Sequence, residues 1–167
     1  MNKEKKLKLV SLRVDGLGDK LGLPIDKGIR DTVVFLNALG FNTTSSCEGH
    51  LQGKHGYAAP WVDISPKQLS EVRRFKSDKE LYRAQRKLNV FKGKSFALLN
   101  EFYRQRKVPY DRMLIVDKPF AFILRLQSNG LELLPPKNNP ECKRKALSYK
   151  KEMQDFTKFL EKQFWKK

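Results

Sequence analysis

"IRDTVVFLNALGFNTTSSC", Ile29 to Cys47, changes its pattern partway through. Ile29, Val33 and Leu36 recur at steps of four and three, which places them on one face of a helix. Asp26 upstream is an N-cap residue type and Gly40 a left-handed stop, so the pattern predicts a helix from Asp26 to about Leu39. In "FNTTS" the Phe and Thr residues favour the pleated conformation, and Ser, Cys, Glu and Gly after it read as a turn. A helix feeding a strand makes the class α/β or α+β.

The flanks extend this reading. "PWVDI", Pro60 to Ile64, is the expected partner strand, and "KLVSLRV", Lys8 to Val14, reads as a short first strand before a Gly-, Asp- and Pro-rich loop. From Ser65 the period lengthens to about 3.6. Ser65 with Pro66 starts one helix, and Ser77 with Glu80 forms a capping box for a second that carries Leu81, Ala84 and Leu88. Gly93 interrupts that pattern and Phe96, Leu99, Phe102 and Tyr103 resume it, so two or three helices are expected in a basic segment spanning 66–107. Met113 to Val116 and Phe120 to Leu126 read as strands, Asn129-Gly130 as a tight hairpin before "LELL", and Pro135-Pro136 as the end of the sheet. A C-terminal amphipathic helix over 139–165 presents Tyr149, Met153, Phe156, Leu160 and Phe164 as one stripe suited to docking on a core. The expected architecture is one compact domain, 1–167, with a mixed sheet flanked by basic amphipathic helices.

At 167 residues the chain is long enough to bury a core without disulfide or metal staples. Cys47 and Cys142 are too few for a disulfide framework. The charged "MNKEKKLKLV" lacks the apolar stretch of a signal peptide, and no run reaches transmembrane length, so a cytoplasmic protein with reduced thiols is expected. The formal charge of +17 calls for a polyanionic partner, nucleic acid before an anionic membrane surface. RNA is favoured because thirteen Lys or Arg against four Asp or Glu between Lys67 and Lys107 are interleaved with Phe75, Tyr82, Phe91 and Tyr103. Cations beside aromatic rings neutralise phosphates and stack on bases.

The chain has two cysteines and two histidines, and three of these four lie between Cys47 and His55. Three chemistries suit "SSCEGH", Ser45 to His50. Cys47 and His50 have the C-x-x-H spacing of a metal grip, zinc foremost, with His55 as a third ligand and Asp63 or Cys142 completing the set. Alternatively Cys47, Glu48 and His50 form a catalytic group in which His50 activates Cys47 or serves as general base. The third reading, which we prefer, is a binding pocket in which Ser45, Ser46, the loop amides and His50 hold a ligand. Gly49 then permits close approach and Trp61 offers a stacking face.

"LNALGFNTTSSCEGH", Leu36 to His50, followed by "PWVDIS", resembles the signature of the wybutosine-synthesis tRNA methyltransferase family. In that family a helix ending in Leu-Asn leads to "TTSSCSGR" and then to a Trp-containing strand. "RLQSNGLELLP", Arg125 to Pro135, is similar to the family's closing strands. The resemblance covers about Ile29 to Ser65. It implies an S-adenosylmethionine-dependent transferase acting on a modified guanosine in tRNA, with Ser45, Ser46, Cys47, Gly49 and Trp61 at the motif positions. Glu48 stands where the family has Ser and His50 where it has Arg, which exchanges an anion-binding cation for a titratable imidazole and adds a carboxylate. The expected function is therefore an RNA-binding, tRNA-modifying enzyme with the Ser45–His50 turn at its site. The alternative is a non-enzymatic nucleic-acid-binding protein whose Cys/His loop is structural or metal-binding.

Overall fold

The computed structural model describes residues 2–18, 23–52, 56–67, 69 and 75–166. In chain order the elements are α1 (Lys3–Asp15), α2 (Lys27–Ala38), β1 (Asn42–Cys47), β2 (Trp61–Ser65), α3 (Asp78–Tyr103), β3 (Leu114–Phe120), β4 (Ile123–Ser128), a 3-10 turn (Leu131–Leu133) and α4 (Pro140–Lys166). The four strands form one sheet in the order β1-β2-β4-β3, and all three pairings are antiparallel. Of the two expected classes the chain thus builds α+β, with an antiparallel sheet where a mixed one was expected.

The α2-to-β1 passage forms as its residues dictate. Ile29, Val33 and Leu36 are buried, Gly40 adopts φ +91°, and the strand begins two residues later. The Asn37 side chain donates to the Val33 carbonyl (2.8 Å) and to Thr43 Oγ1 (2.7 Å), fastening the end of α2 to the start of β1. Among the described residues β1 pairs only with β2, which makes it an edge strand and sets the hydroxyl-rich turn at the rim of the sheet.

One core cluster takes side chains from all four helices and from β2, β3 and β4. Val62 and Ile64 of β2, Leu124 and Leu126 of β4, and Leu114 and Val116 of β3 meet Leu88, Leu99 and Phe102 of α3 and the α4 stripe. Met153, Phe156, Leu160 and Phe164 are all buried there, as their spacing implies, and Tyr149 is buried in a smaller cluster beside Cys142 and Ala146. No helix among the described residues is long and apolar enough to cross a membrane.

Three expectations are corrected. Lys8 to Val14 belongs to helix α1, not to a strand. Leu7, Val10 and Val14, at steps of three and four, supply its packed face, while Leu9 and Leu12 point to solvent, so the longer period outweighs a brief alternation. Helix α3 runs unbroken through Gly93, because Leu88 on one side and Ser95, Leu99 and Phe102 on the other are buried on a single face. That burial offsets the roughly 1 kcal/mol a helical glycine costs. Asn129-Gly130 does not form the β-hairpin: β3 and β4 turn at Ala121 and Phe122, and "LEL" is the 3-10 turn. The Asn129 and Gly130 amides donate instead to the carbonyls of Met113 (2.8 Å) and Asp111 (2.7 Å), and Leu131 is buried in the smaller cluster.

The capping reading at Ser77 holds: its Oγ accepts from the Glu80 amide, and Glu80 Oε2 reaches back to the Lys76 amide. The helix expected from Ser65 and Pro66 falls largely on 68 and 70–74, outside the described residues.

Candidate functional site

The end of β1 lies beside the N-terminus of α2, and two carboxylates join them. Asp26 occupies the N-cap position of α2, yet its side chain makes no cap hydrogen bond among the described residues. Its Oδ2 accepts from the Glu48 amide at 3.1 Å, and Glu48 Oε2 in turn accepts from the Gly28 amide at 2.6 Å. The two residues thus exchange a capping box across the fold. Glu48 provides the acceptor and the negative charge that the first turn of α2 requires. Its expected catalytic role has to share the carboxylate with this bond.

Gly49 has φ +81°, and a Cβ built there would lie 2.6 Å from the Ala59 backbone. Its lack of a side chain serves packing against Ala58 and Ala59, so the close approach it permits is to the protein's own chain. The His50 amide then donates to the Tyr57 carbonyl at 2.9 Å, which ties the end of the turn to the residues that precede β2.

The imidazole lies beside the N-cap residue of α2. His50 Nε2 lies 3.2 Å from Asp26 Oδ2, and the donor atoms of Asp26, Cys47 and His50 all lie within 4.8 Å of one another. Cys47 is buried, and its Sγ accepts from the Gly49 amide at 3.3 Å. Burial first, and then the carboxylates of Asp26 and Glu48, push the Cys47 thiol up, against the opposing pull of the Gly49 amide. A thiol held protonated in this way is a poor nucleophile.

A cavity of about 450 Å³ opens beside this cluster. Thr43, Thr44, Ser45, Ser46, Cys47, His50 and Asp26 form its polar wall, and Leu17, Ile25 and Val33 contribute apolar surface. The structure therefore brings Ser45, Ser46, Cys47 and His50 to one cavity. Glu48, Gly49 and Trp61 are not among its lining residues.

Trp61 pairs with Cys47 across the β1–β2 ladder, but its ring is engaged elsewhere. The Arg125 guanidinium lies 3.9 Å from the Trp61 ring centroid, and Tyr57 meets the ring edge-on at 6.5 Å. Arg125 also pairs in bidentate fashion with buried Asp63, at 2.7 and 2.9 Å, and Ser45 donates to the same carboxylate at 2.9 Å. Asp63 is thereby neutralised within the sheet. Cys142 is buried in the smaller cluster with Ala58, Ala59 and Leu131, and among the described residues neither it nor Asp63 belongs to the donor group of Asp26, Cys47 and His50. His55 lies outside the described residues.

Sequence reasoning missed Asp26 as a member of this group. It is 21 positions from Cys47 and was accounted for as a cap, so nothing in the local pattern marked it. Only the unused acceptor capacity of a surplus N-terminal carboxylate could have hinted at it.

The cationic surface is the second feature. Lys79, Arg83, Arg86, Lys87 and Lys94 are exposed on α3, and among the described residues they take part in no ion pair. Arg83, Arg86, Lys87 and Lys94 line a groove of about 510 Å³ with Val90, Phe91 and Pro66. Arg106, by contrast, is paired with buried Glu152, and Arg104 with Glu101. No protein-family model, curated protein or solved structure matches this chain.

Proposed function

We propose that the protein binds RNA along α3 and acts on it at the Ser45–His50 turn, tRNA modification being the activity that the motif resemblance implies. One observation carries this reading: a row of exposed cations, unpaired among the described residues, lines a groove that reaches Pro66 at the end of β2, and the strand paired with β2 lines the polar cavity. Asn42, the first residue of β1, pairs with Ser65, which adjoins Pro66 in the basic groove, and the residues at the other end of the strand line the cavity. Six strand residues span only about 16 Å, a few nucleotides of backbone. Cations that pair with no carboxylate keep their full charge for phosphates, whereas paired ones give up most of it.

S-adenosylmethionine is the cosubstrate the resemblance implies, and the residues it assigns offer that molecule little. Ser45 is bonded to Asp63, Gly49 is packed on Ala58 and Ala59, and Trp61 is covered by Arg125, which leaves Ser46 and Cys47 to face a ligand. No methyl-transfer step is therefore derived from them. The alternative function is a non-enzymatic RNA-binding protein, and the binding of a small cosubstrate distinguishes the two.

Affinity for a tRNA transcript, measured across a salt series, tests the reading. The expected result is a steep fall with salt, and Arg83→Ala, Arg86→Ala and Lys87→Ala each reduce the slope by up to about 0.9. A flat series, or slopes that the three substitutions leave unchanged, overturns it. A thermal-shift titration with S-adenosylmethionine then addresses the cosubstrate, since a ligand bound only to the folded state raises the melting temperature.

A further inference from the structure

We propose that Asp26, Cys47 and His50 form a three-ligand site for a divalent cation of the zinc class, with its open coordination position facing the Ser45–Ser46 cavity. This deepens the reading above, on which it rests for the role of the cavity.

The donor set comes first. Zinc accepts thiolate, imidazole and carboxylate together, and sites with three protein ligands keep a fourth position for water or a ligand. Bonds of about 2.0–2.3 Å arranged tetrahedrally set donor atoms about 3.3–3.8 Å apart. Here the carboxylate and imidazole donors are already 3.2 Å apart and all three lie within 4.8 Å, so rotation of side chains alone brings the sulfur into range.

The backbone geometry fits as well. Gly49, in its left-handed conformation, directs its amide at Cys47 Sγ (3.3 Å), an interaction that stabilises negative charge on a sulfur ligand. Asp26 is oriented by the Glu48 amide on Oδ2, the same oxygen that faces His50 Nε2 at 3.2 Å. All three donors belong to residues that line the cavity, so a bound ion adjoins the space in which a substrate would sit. Cys47 and His50 are three residues apart on one turn, while Asp26 comes from the start of α2. Metal binding would therefore tie the end of β1 to the N-terminus of α2.

The experiment takes the full-length protein purified without chelator or affinity-tag histidines. Its metal content is measured by inductively coupled plasma mass spectrometry, and its absorption spectrum is recorded after exchange with Co²⁺. The expected result is zinc stoichiometric with the chain and a thiolate-to-cobalt charge-transfer band, which appears only when Cys47 or Cys142 ligates the ion. Cys47→Ser abolishes the band and Cys142→Ser leaves it unchanged. His50→Gln and Asp26→Asn each weaken Zn²⁺ affinity by at least about tenfold to a hundredfold, the scale seen on removing even an outer-shell partner. Asp26→Asn retains an acceptor for the Glu48 amide, so folding survives and its effect reports on the ligand alone. Absence of both zinc and the band in the wild type overturns the site, as does Zn²⁺ affinity that Asp26→Asn leaves unchanged. RNA affinity of the same preparation is a separate readout: no RNA binding by the metal-loaded protein counts against the proposed function, not against the metal, whereas a fall in affinity on adding chelator agrees with both.

Discussion

Glu48 is the residue whose role changes most between a motif reading and the folded chain. Beside a cysteine and a histidine it has the look of a general base, yet its carboxylate accepts the Gly28 amide at 2.6 Å and closes the first turn of α2. The two roles make opposite predictions. If the carboxylate is chiefly a cap, Glu48→Ala lowers stability by about 1 kcal/mol, the usual cost of losing an N-terminal cap, and Glu48→Gln, which retains an acceptor oxygen, costs less. Urea denaturation of the three proteins measures this. Equal stability of all three would show that the bond contributes nothing. Gly28 faces the same contact, since a Cβ there would lie 2.5 Å from Glu48 Oε2. The cap and the glycine thus fit one another, and neither was visible as a pair in a sequence where they stand 20 positions apart.

Among the elements, α3 carries both the cationic surface and the clearest conflict between local propensity and tertiary packing. Its 26 residues cross Gly93, where a glycine loses more backbone entropy than any other residue. Gly93 is exposed and nothing lies within 4 Å of a Cβ built on it. Gly93→Ala should therefore stabilise the protein by about 0.5–1 kcal/mol and raise the melting temperature by roughly 1–4 °C. Calorimetry checks this, and a lower melting temperature would mean that the glycine has a conformational role the helix does not reveal. The other long helix, α4, was legible from its stripe alone, because five large apolar residues at helical spacing share one face and are buried together, four in the main core and Tyr149 in the smaller cluster.

For the whole molecule, a buried ionic network ties α4 to the segment between α3 and β3. Glu152 is fully buried and meets Arg106 (3.0 Å), Arg112 (2.8 Å) and the Tyr103 hydroxyl (3.1 Å), while Asp155 adjoins both arginines. Removing the central carboxylate leaves Arg106 and Arg112 with Asp155 alone and the Tyr103 hydroxyl without its acceptor, so Glu152→Ala should cost about 1–3 kcal/mol, measured by chemical denaturation. The same network adds to acid sensitivity. Burial pushes the Asp155 carboxyl up, but the bonds and charges of Lys151 and Arg106 outweigh it and hold Asp155 below the usual carboxylate range. The hydrogen bond from Arg30 does the same for Asp15. A group whose pKa is depressed on folding stabilises the native state above its unfolded value and loses that contribution as pH falls through the folded one. Stability should therefore hold down to about pH 4 and decline below it. Melting temperatures recorded from neutral pH to pH 3 test this, and a decline that begins well above pH 5 would point to other groups. What the sequence determined was whatever a short stretch encodes by its own pattern: the α2 face, the Gly40 stop, the strands β1 and β2, the Ser77 cap and the α4 stripe. Tertiary structure decided the rest. It made Lys8 to Val14 a helix, carried α3 through Gly93, and turned Asn129-Gly130 toward Asp111 and Met113. It also brought Asp26 to Cys47 and His50. Each of those outcomes depends on packing or hydrogen bonds between residues distant in the chain, whose free energy outweighs the local preference and leaves no mark on it.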